Sequence, residues 1–344
     1  MEGYPLNKQI KDFLTTIGIM ALCFSFSLLT DQMSRMDMLI PMFFVLGVFL
    51  ISAGCRLPHD VRRMIHQPRS GAPGLLFLSG FSIIMQTPFP NILHFHRTEL
   101  LFMILFLTSS PCIYAHSPAT LTEANGFLRR IKSKLPPKPN TLFVASSPAD
   151  HAKTDFYCGD MAGAFERAGI PLTGWQLLDD LTAADAKKLI AWSDFIILMG
   201  GHVPTQNEFF NRIGLKELLK GYPGVIMGIS AGTMNAAETV YAQPEEDGEW
   251  AKPFRRFYPG LGLTGINVCP HYQEVVEKNL CVDGTPIYPD ITAHDSHGHT
   301  FHVFPDGTYL YRDETEYAIY GECYRYRDGI LERLSKDGER IDLK

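Results

Sequence analysis

The chain has 344 residues, more than one average domain, so we expect two structural units. Its formal net charge is −6, so the chain has no excess of basic residues, which argues against a nucleic-acid partner. The seven cysteines form no CxxC pair, so we interpret them as free thiols in a reducing compartment rather than as a disulfide framework.

Two long apolar segments open the chain. Residues 13–30 (FLTTIGIMALCFSFSLLT) and 38–55 (MLIPMFFVLGVFLISAGC) contain no charge, and each is close to the roughly 20 residues that a helix needs to cross a bilayer. A short polar link joins them, so we predict a transmembrane helical hairpin within residues 1–55. Basic residues flank the pair, which places both ends in the cytoplasm. A buried core pair, or a secretory signal peptide for the first segment, are the alternatives.

Residues 1–55 faintly resemble the opening transmembrane helices of sensor histidine kinases that respond to potassium, and the resemblance stops near Ser52. Residues 56–102 begin as a loop rich in Pro, Gly and Arg, and we assign them as a linker or an extra hydrophobic segment of unclear role. We predict that residues 103–344 form a separate domain, which would be cytoplasmic and anchored to the inner membrane through residues 13–55.

From residue 103 onwards, apolar segments of strand length alternate with segments of helical spacing. Strands are predicted within residues 103–110, 140–148, 172–180, 194–201 and 224–230. Helices are predicted within residues 122–135, 156–170 and 182–192, the last with Thr182 as its N-cap. This alternation indicates a doubly wound α/β domain with a mostly parallel sheet. Such sheets bind ligands at the carboxyl ends of their strands.

The segment Gly228-Ile229-Ser230-Ala231-Gly232 follows a buried strand and precedes small helix-forming residues. A serine at a strand-to-helix turn is held in a tight backbone, and the flanking glycines leave room for that turn. The hydroxyl then projects above the sheet, with the N–H groups of the helix N-terminus beneath it. We therefore predict that Ser230 is a nucleophile in a nucleophile elbow.

A nucleophilic serine needs a base, and the base needs an orienting group. His271 follows a short apolar strand and a proline in GINVCPHYQE, so it is expected at the same edge of the sheet as Ser230. Asp306 lies in Pro-Asp-Gly, which by itself predicts only a hairpin turn.

Five segments give the region a definite resemblance to the peptidase E family, serine dipeptidases related to cyanophycinases. These segments occur in the family's order across about 240 residues: LTSSP, ILMGGHVPTQN, GISAGT, NVCPHYQ and FPDGTYLY. The resemblance implies a flavodoxin-like fold akin to class I glutamine amidotransferase domains, with a Ser-His-Glu triad. It assigns Ser230 as nucleophile, His271 as general base and then acid, and Asp306 as the orienting acid, where the dipeptidases have Glu. Asp295 is the alternative acid.

The oxyanion hole is expected to combine the N–H of Ala231 with an N–H of Gly200 or Gly201. We predict that His202, which follows this turn directly, lines the substrate pocket, with Asp295 as a second candidate there. Two arginines in KPFRRFYPG, Arg255 and Arg256, are candidates for binding an acidic substrate side chain, although solvated surface charge is their more ordinary role.

A cluster of histidines in HDSHGHTFH (294–302) resembles a metal site, but its spacing matches no tetrahedral ligand set. The tail GHTFHVF alternates like an edge strand with solvated histidines. We predict that the protein needs no metal or cofactor.

The predicted function is therefore serine-type hydrolysis of small peptides through an acyl-enzyme, with an N-terminal Asp preference by analogy with the family. An α/β-hydrolase esterase shares G-x-S-x-G but orders its triad as Ser, acid, His. An inactive membrane-tethered binding module is the non-enzyme alternative. The sequence predicts no oligomeric state.

Overall fold

The computed structural model describes residues 103–113, 118–172 and 174–343. The transmembrane hairpin predicted within residues 1–55 and the linker at 56–102 lie outside the described residues. Within the described part of the chain, no helix combines the length and the apolar character that a membrane span requires.

Eighteen strands occur in the described residues. In chain order they are β1 (Ile104–Thr108), β2 (Cys112–Ile113), β3 (Thr120–Leu121), β4 (Thr141–Val144), β5 (Gln176–Leu178), β6 (Phe195–Leu198), β7 (Val225–Ile229), β8 (Thr239–Tyr241), β9 (Phe257–Pro259), β10 (Asn267–Cys269), β11 (Cys281–Val282), β12 (Thr285–Pro286), β13 (Thr300–Val303), β14 (Tyr309–Arg312), β15 (Tyr317–Tyr320), β16 (Cys323–Arg327), β17 (Ile330–Ser335) and β18 (Arg340–Asp342).

The same residues contain eight α-helices, several of which are short. They are α1 (Phe127–Lys134), α2 (His151–Arg167), α3 (Ala186–Trp192), α4 (Val203–Arg212), α5 (Leu215–Leu218), α6 (Ala231–Asn235), α7 (Tyr272–Glu277) and α8 (Thr292–Asp295).

The main sheet has eight strands in the order β18-β15-β14-β1-β7-β6-β4-β5. Strands β1, β7, β6, β4 and β5 pair in parallel, which confirms the predicted mixed α/β fold with a mostly parallel sheet. Strand β14 pairs antiparallel with β1, and β15 and β18 extend that antiparallel side. Strand β1 therefore lies where the parallel and antiparallel parts of the sheet meet.

Both faces of the parallel strands are apolar because helices cover both of them. Successive side chains of a strand point to opposite faces. Leu105 and Leu107 of β1 pack in a core with residues of α3 and α4, whereas Phe106 packs in a second core with residues of α1 and α2. The continuous apolar runs in the sequence reflect this two-sided burial.

A second sheet of four strands, in the order β10-β13-β16-β17, packs on its own apolar cluster. The edge-strand interpretation of GHTFHVF is wrong, because β13 lies between β10 and β16 in this sheet. Phe301 and Val303 are fully buried on one face of β13. The alternation of the segment therefore marks an interior strand with one buried face.

The predicted N-cap at Thr182 is also wrong. The residues after it form a short 3₁₀ turn, Ala183–Asp185, and α3 begins only at Ala186. The Thr182 hydroxyl donates instead to the carbonyl of Leu177, at 2.8 Å. A turn stabilised by its own side chain thus competes with the helix start that the spacing indicates.

Candidate active site

Ser230 occupies a sharp turn between β7 and α6. Its backbone angles are φ 49° and ψ −109°, a region that side-chain-bearing residues rarely adopt. A Cβ atom at Gly232 would overlap the carbonyl group of Leu198 on the neighbouring strand β6, so only glycine fits there. Gly232, two residues after Ser230, is therefore required by the close approach of α6 to the sheet.

The turn that carries Ser230 is tied to the adjacent strand through Thr108, the last residue of β1. The Thr108 carbonyl accepts the N–H of Ser230 at 3.2 Å and the hydroxyl of Thr233 at 2.8 Å. The Thr108 hydroxyl donates in turn to the carbonyl of Gly228, at 2.8 Å. These three hydrogen bonds hold both sides of the turn against β1.

His271 and Asp306 are brought together from separate loops. His271 immediately precedes α7 in a left-handed conformation with φ 57°, and Asp306 lies in the turn before β14. The Nδ1 atom of His271 lies 2.8 Å from Oδ1 of Asp306. The backbone N–H of Asp306 donates to the side-chain oxygen of Gln273, at 2.9 Å, which fixes the turn that carries the carboxylate.

The pKa values of this pair are shifted in opposite directions. Burial lowers the pKa of His271, but the hydrogen bond and the charge of Asp306 outweigh it, so the pKa is raised above its usual 6.5. Burial raises the pKa of Asp306, but the hydrogen bond and charge of His271, followed by the hydroxyl of Ser109, leave it lowered. Asp306 therefore favours a protonated, positively charged imidazole.

Ser109 is a buried residue of this arrangement that the sequence analysis did not single out. Its hydroxyl donates to Oδ1 of Asp306 at 2.7 Å and accepts the backbone N–H of His271 at 2.8 Å. The only signal in the sequence was its place in the LTSSP segment at the end of the first strand, since a serine after a strand otherwise suggests no more than a turn.

Ser230 and His271 line one cavity of about 320 Å³ at the carboxyl end of the parallel strands. Apolar side chains form much of its wall: Phe143, Met161, Ile197, Met199 and Ile229. Three polar residues of α2, namely Lys153, Tyr157 and Asp160, line it as well. Their i, i+4, i+7 spacing puts them on one face of the helix, a pattern that could have been found in the sequence.

The residues expected to form the oxyanion hole lie beside Ser230. Gly200 and Gly201 line the same cavity, and a Cβ atom at Gly200 would lie 3.4 Å from the Cβ of Ser230. Ser146 donates its hydroxyl to the Gly200 carbonyl at 2.6 Å, and a side chain at Gly201 would overlap Ser146. Within the described part of the chain, the N–H groups of Gly200, Gly201 and Ala231 donate to no protein acceptor.

His202 is not among the residues that line the cavity. Its Nε2 atom lies 3.0 Å from Oε1 of Glu249, and its Nδ1 atom lies 2.8 Å from the hydroxyl of Thr205. One ligand atom each from His202, Glu246 and Glu249 lies within 4.8 Å of the others, a spacing that could hold a metal ion. The hydrogen bond between His202 and Glu249 already uses two of these groups.

Asp295 and the two arginines lie elsewhere. Oδ2 of Asp295 accepts the Nε proton of Arg256 at 2.8 Å and the hydroxyl of Tyr241 at 3.0 Å. Arg255 is exposed, and its guanidinium lies 4.6 Å from the ring centre of Tyr258. Neither arginine lines the cavity of Ser230, and Asp295 makes no hydrogen bond with His271.

The histidines of residues 294–302 make separate contacts. His294 pairs with Asp295 at 3.0 Å, and the ring of His299 stacks on Phe257 with their centres 4.1 Å apart. Nδ1 of His302 is buried and has no hydrogen-bond partner. Burial, followed by the charge of Arg325, lowers the pKa of His302 to about 4.

Five cysteines of the described residues are free thiols, as the scattered spacing predicted. Four of them are buried, and burial raises the pKa of each of those four thiols to about 12. None of the four is therefore a thiolate near neutral pH.

One protein-family model and several solved structures are similar to this chain. The model of peptidase family S51 matches residues 105–319. A peptidase from an acI-B1 Actinobacterium has a similar structure, with 14% identity and a TM-score of 0.50 over 70% of this chain and 97% of that chain. A protein from Listeria monocytogenes EGD-e, described as a peptidase E protein, shows 19% identity and a TM-score of 0.42 over 68% of this chain and 100% of that chain.

No curated protein sequence gives a significant match. The family match begins at residue 105, and these comparisons give no support to the resemblance of residues 1–55 to histidine kinases.

Proposed function

Because the chain belongs to peptidase family S51, we propose that it is a serine dipeptidase of the peptidase E type that works through an acyl-enzyme on Ser230. The observation that carries this proposal is the shared cavity of Ser230 and His271, together with the 2.8 Å contact between His271 and Asp306. A nucleophile, a base and an orienting acid are the groups that this chemistry needs.

In this mechanism the Ser230 hydroxyl attacks the carbonyl carbon of the scissile peptide bond and gives its proton to His271. The imidazolium that forms is stabilised by the Asp306 carboxylate, which also fixes the tautomer of the ring. His271 then donates the proton to the leaving amine. Water, activated by the same imidazole, hydrolyses the acyl-enzyme and returns Ser230 to its hydroxyl form.

Charge that develops on the substrate oxygen would be stabilised by backbone donors. The N–H of Ala231 follows the nucleophile directly, and the N–H groups of Gly200 and Gly201 lie on the facing strand end. Their lack of protein acceptors supports this role, because preorganised donors aimed at the oxyanion cost no reorganisation during the reaction.

The size of the cavity favours a short substrate. Pockets for small ligands span roughly 300 to 1,000 Å³, and about 320 Å³ lies at the low end of that range. A dipeptide would fill such a space with one side chain on the apolar wall. The chain order Ser230, His271, Asp306 also argues against the α/β-hydrolase esterase, whose acid precedes its histidine.

A preference for an N-terminal aspartate would depend on Lys153. It is exposed on α2, lines the cavity, and forms no ion pair within the described part of the chain. Asp160 on the same face of α2 pairs with Arg167, with 4.0 Å between Oδ1 and Nη2, rather than with Lys153. Lys153 rather than Arg255 or Arg256 is therefore our candidate for the acidic side chain.

The test uses the full chain and its Ser230→Ala variant, with a fluorophosphonate probe and a panel of dipeptides. The proposal expects covalent labelling and dipeptide hydrolysis in the wild type, both lost in the variant. Labelling that survives in Ser230→Ala would overturn the assignment of the nucleophile. Cleavage of p-nitrophenyl acetate without any dipeptide hydrolysis would support the esterase instead, and absence of both activities would support the inactive binding module.

The aspartate preference is tested separately, by comparing kcat/KM for Asp-Leu and Leu-Leu in the wild type and in Lys153→Met. We expect the ratio to fall about 10-fold or more in the variant, the size of one lost charge-assisted hydrogen bond. An unchanged ratio would remove Lys153 from substrate recognition and leave the serine peptidase assignment intact.

Membrane anchoring through residues 13–55 is a further proposal that rests on their apolar sequence alone. Carbonate extraction of membranes from cells that express the full chain would test it. The protein is expected to stay with the membrane fraction, and its release into the supernatant would contradict an integral hairpin.

A further inference from the structure

We infer that Ser109 is a positioning residue that aligns His271 with Asp306, an inference that rests on the proposed function. The inference starts from the position of β1 in the main sheet. Strand β1 pairs with β7, which ends at the nucleophile, and with β14, which follows the acid. Thr108 is the last residue of β1 and pairs with Ile229 on one side and Tyr309 on the other.

Ser109 comes one residue later, between Ser230 on one side and the pair of His271 and Asp306 on the other. Its backbone N–H donates to the Thr308 carbonyl at 3.2 Å, which attaches it to the loop that carries Asp306. Its side chain is fully buried. A buried hydroxyl is expected to have its hydrogen bonds satisfied, and both partners of this one belong to the candidate triad.

The direction of these two hydrogen bonds is fixed by chemistry. The backbone N–H of His271 can only donate, so the Ser109 oxygen accepts from it. The hydroxyl proton is then free to point at Oδ1 of Asp306, 2.7 Å away. That carboxylate oxygen is the one that lies 2.8 Å from Nδ1 of His271. A single hydroxyl thus sets the position of the carboxylate relative to the backbone of the base.

These hydrogen bonds matter because His271 has a left-handed backbone, with φ 57°, an uncommon conformation for a non-glycine residue that needs stabilising contacts. The hydrogen bond from its N–H to Ser109 supplies part of that restraint. Thr108 meanwhile holds the Ser230 turn through its carbonyl. The last residue of β1 and the residue after it therefore set the nucleophile on one side and the base and acid on the other.

Ser109 touches no reacting atom in this scheme, and its effect passes through Asp306 and His271. Loss of the hydroxyl should consequently affect the rate of the chemical step more than substrate binding. We expect Ser109→Ala to lower kcat about 10- to 100-fold while KM changes less than about 3-fold, the range of one hydrogen bond to a charged group.

The decisive experiment is a double-mutant cycle on the full chain, read as the rate at which a fluorophosphonate labels Ser230. Ser109→Ala is compared with the wild type, and the double variant with Asp306→Ala. A positioning role predicts a loss of about 10- to 100-fold in the first comparison and less than about 3-fold in the second, because the carboxylate is already absent there.

If Ser109→Ala lowers the labelling rate by the same factor in the wild type and in Asp306→Ala, this inference is overturned while the proposed function stands. A wild-type protein that is not labelled would overturn the proposed function and the inference with it. Ser335→Ala is the matched control, since its buried hydroxyl bonds to the carbonyl of Gly321 at 2.7 Å in another part of the fold. The control should label at the wild-type rate, and thermal melts of all variants show whether folding is intact.

Discussion

Nδ1 of His271 lies 2.8 Å from Oδ1 of Asp306, and both side chains come from loops that follow neighbouring parallel strands of the smaller sheet. His271 follows β10, whereas Asp306 lies in the connection from β13 to β14 of the main sheet. Their contact raises the pKa of the imidazole against the effect of burial, so the acid limb of kcat/KM should lie above pH 6.5.

Replacing Asp306 with Asn tests that relationship. Without the carboxylate, burial still lowers the pKa of His271 and is opposed only by the smaller effects of the Glu274 and Glu245 charges. That pKa should therefore fall, and the acid limb of kcat/KM should move to lower pH. The base keeps neither its tautomer nor its stabilised imidazolium, and kcat should drop by about 10³- to 10⁴-fold, as in other serine triads. Initial rates between pH 5 and 9 give both quantities. A limb that stays in place would show that Asp306 is not the partner that raises the pKa.

Gly232→Ala should unfold the nucleophile turn locally and destabilise the protein. The added Cβ would overlap the Leu198 carbonyl, an overpacking that typically costs about 1–3 kcal/mol in the free energy of unfolding. Gly159→Ala in α2 is the matched control, because nothing lies within 4 Å of its added Cβ. That control should gain about 0.5–1 kcal/mol through helix propensity. Urea titrations compare the two, and similar effects would contradict the close packing of α6 on the sheet.

Arg256→Ala should destabilise the fold far more than Arg255→Ala. Removal of Arg256 takes the guanidinium from the carboxylate of Asp295, whose side chain is 7% exposed, and leaves it only the exposed His294 ring and the Tyr241 hydroxyl as partners. Loss of one partner of a buried ion pair costs about 3–5 kcal/mol. Arg255 is exposed, and its loss should change the free energy of unfolding by less than about 0.5 kcal/mol. Equal effects in thermal or urea unfolding would show that the Arg256 pair is not structural.

His302 should make the fold less stable at acidic pH. Its pKa in the folded protein is about 4, below the 6.5 of an unfolded chain, so the unfolded state binds more protons between these values. Stability is therefore lost as the pH falls from 6.5 towards 4, by at most about 3 kcal/mol. His271, whose pKa is raised, contributes with the opposite sign: its stabilisation is present at low pH and is lost as the pH rises through its folded pKa.

The variant His302→Phe isolates the first effect. Urea unfolding at several pH values between 4 and 7 should show a smaller acid-side loss of stability than the wild type has. The comparison uses the slope with pH rather than the absolute stability, because the ring exchange also changes packing. Identical slopes would mean that His302 becomes charged in the folded protein at little cost.

The parallel part of the fold was predictable from the sequence because two-sided burial leaves a direct mark, short runs of apolar residues separated by helical spacing. The antiparallel side of the main sheet was not predicted, since its strands gave no comparable signal in the sequence analysis. The smaller sheet was misread at β13, where alternation could not distinguish an edge strand from an interior strand with one buried face.

Some residues of the candidate site were likewise predictable from the sequence and others were not. Ser230 and His271 stood out because each follows an apolar strand in a local pattern with a physical reason. Asp306 depended on the family resemblance, since Pro-Asp-Gly is explained equally well as a turn. Ser109 was missed because its contacts join distant parts of the chain, whereas Lys153 lies on a helix face that its spacing from Tyr157 and Asp160 could have indicated. His202, by contrast, follows the predicted glycine turn but bonds to Glu249 outside the cavity.

The position of β1, where the parallel and antiparallel parts of the main sheet meet, also affects the order in which the protein folds during synthesis. A ribosome delivers β1 and β7, and with them Ser230, well before the chain reaches β14 and Asp306. Until β14 arrives, one side of β1 is an open sheet edge, and the base has no carboxylate beside it. In the proposed mechanism, a nascent chain would therefore carry a serine that is not yet activated. The pairing of β14 with β1 would close the open sheet edge and also bring the Asp306 carboxylate beside the base, so proteolytic activity would begin only at that point.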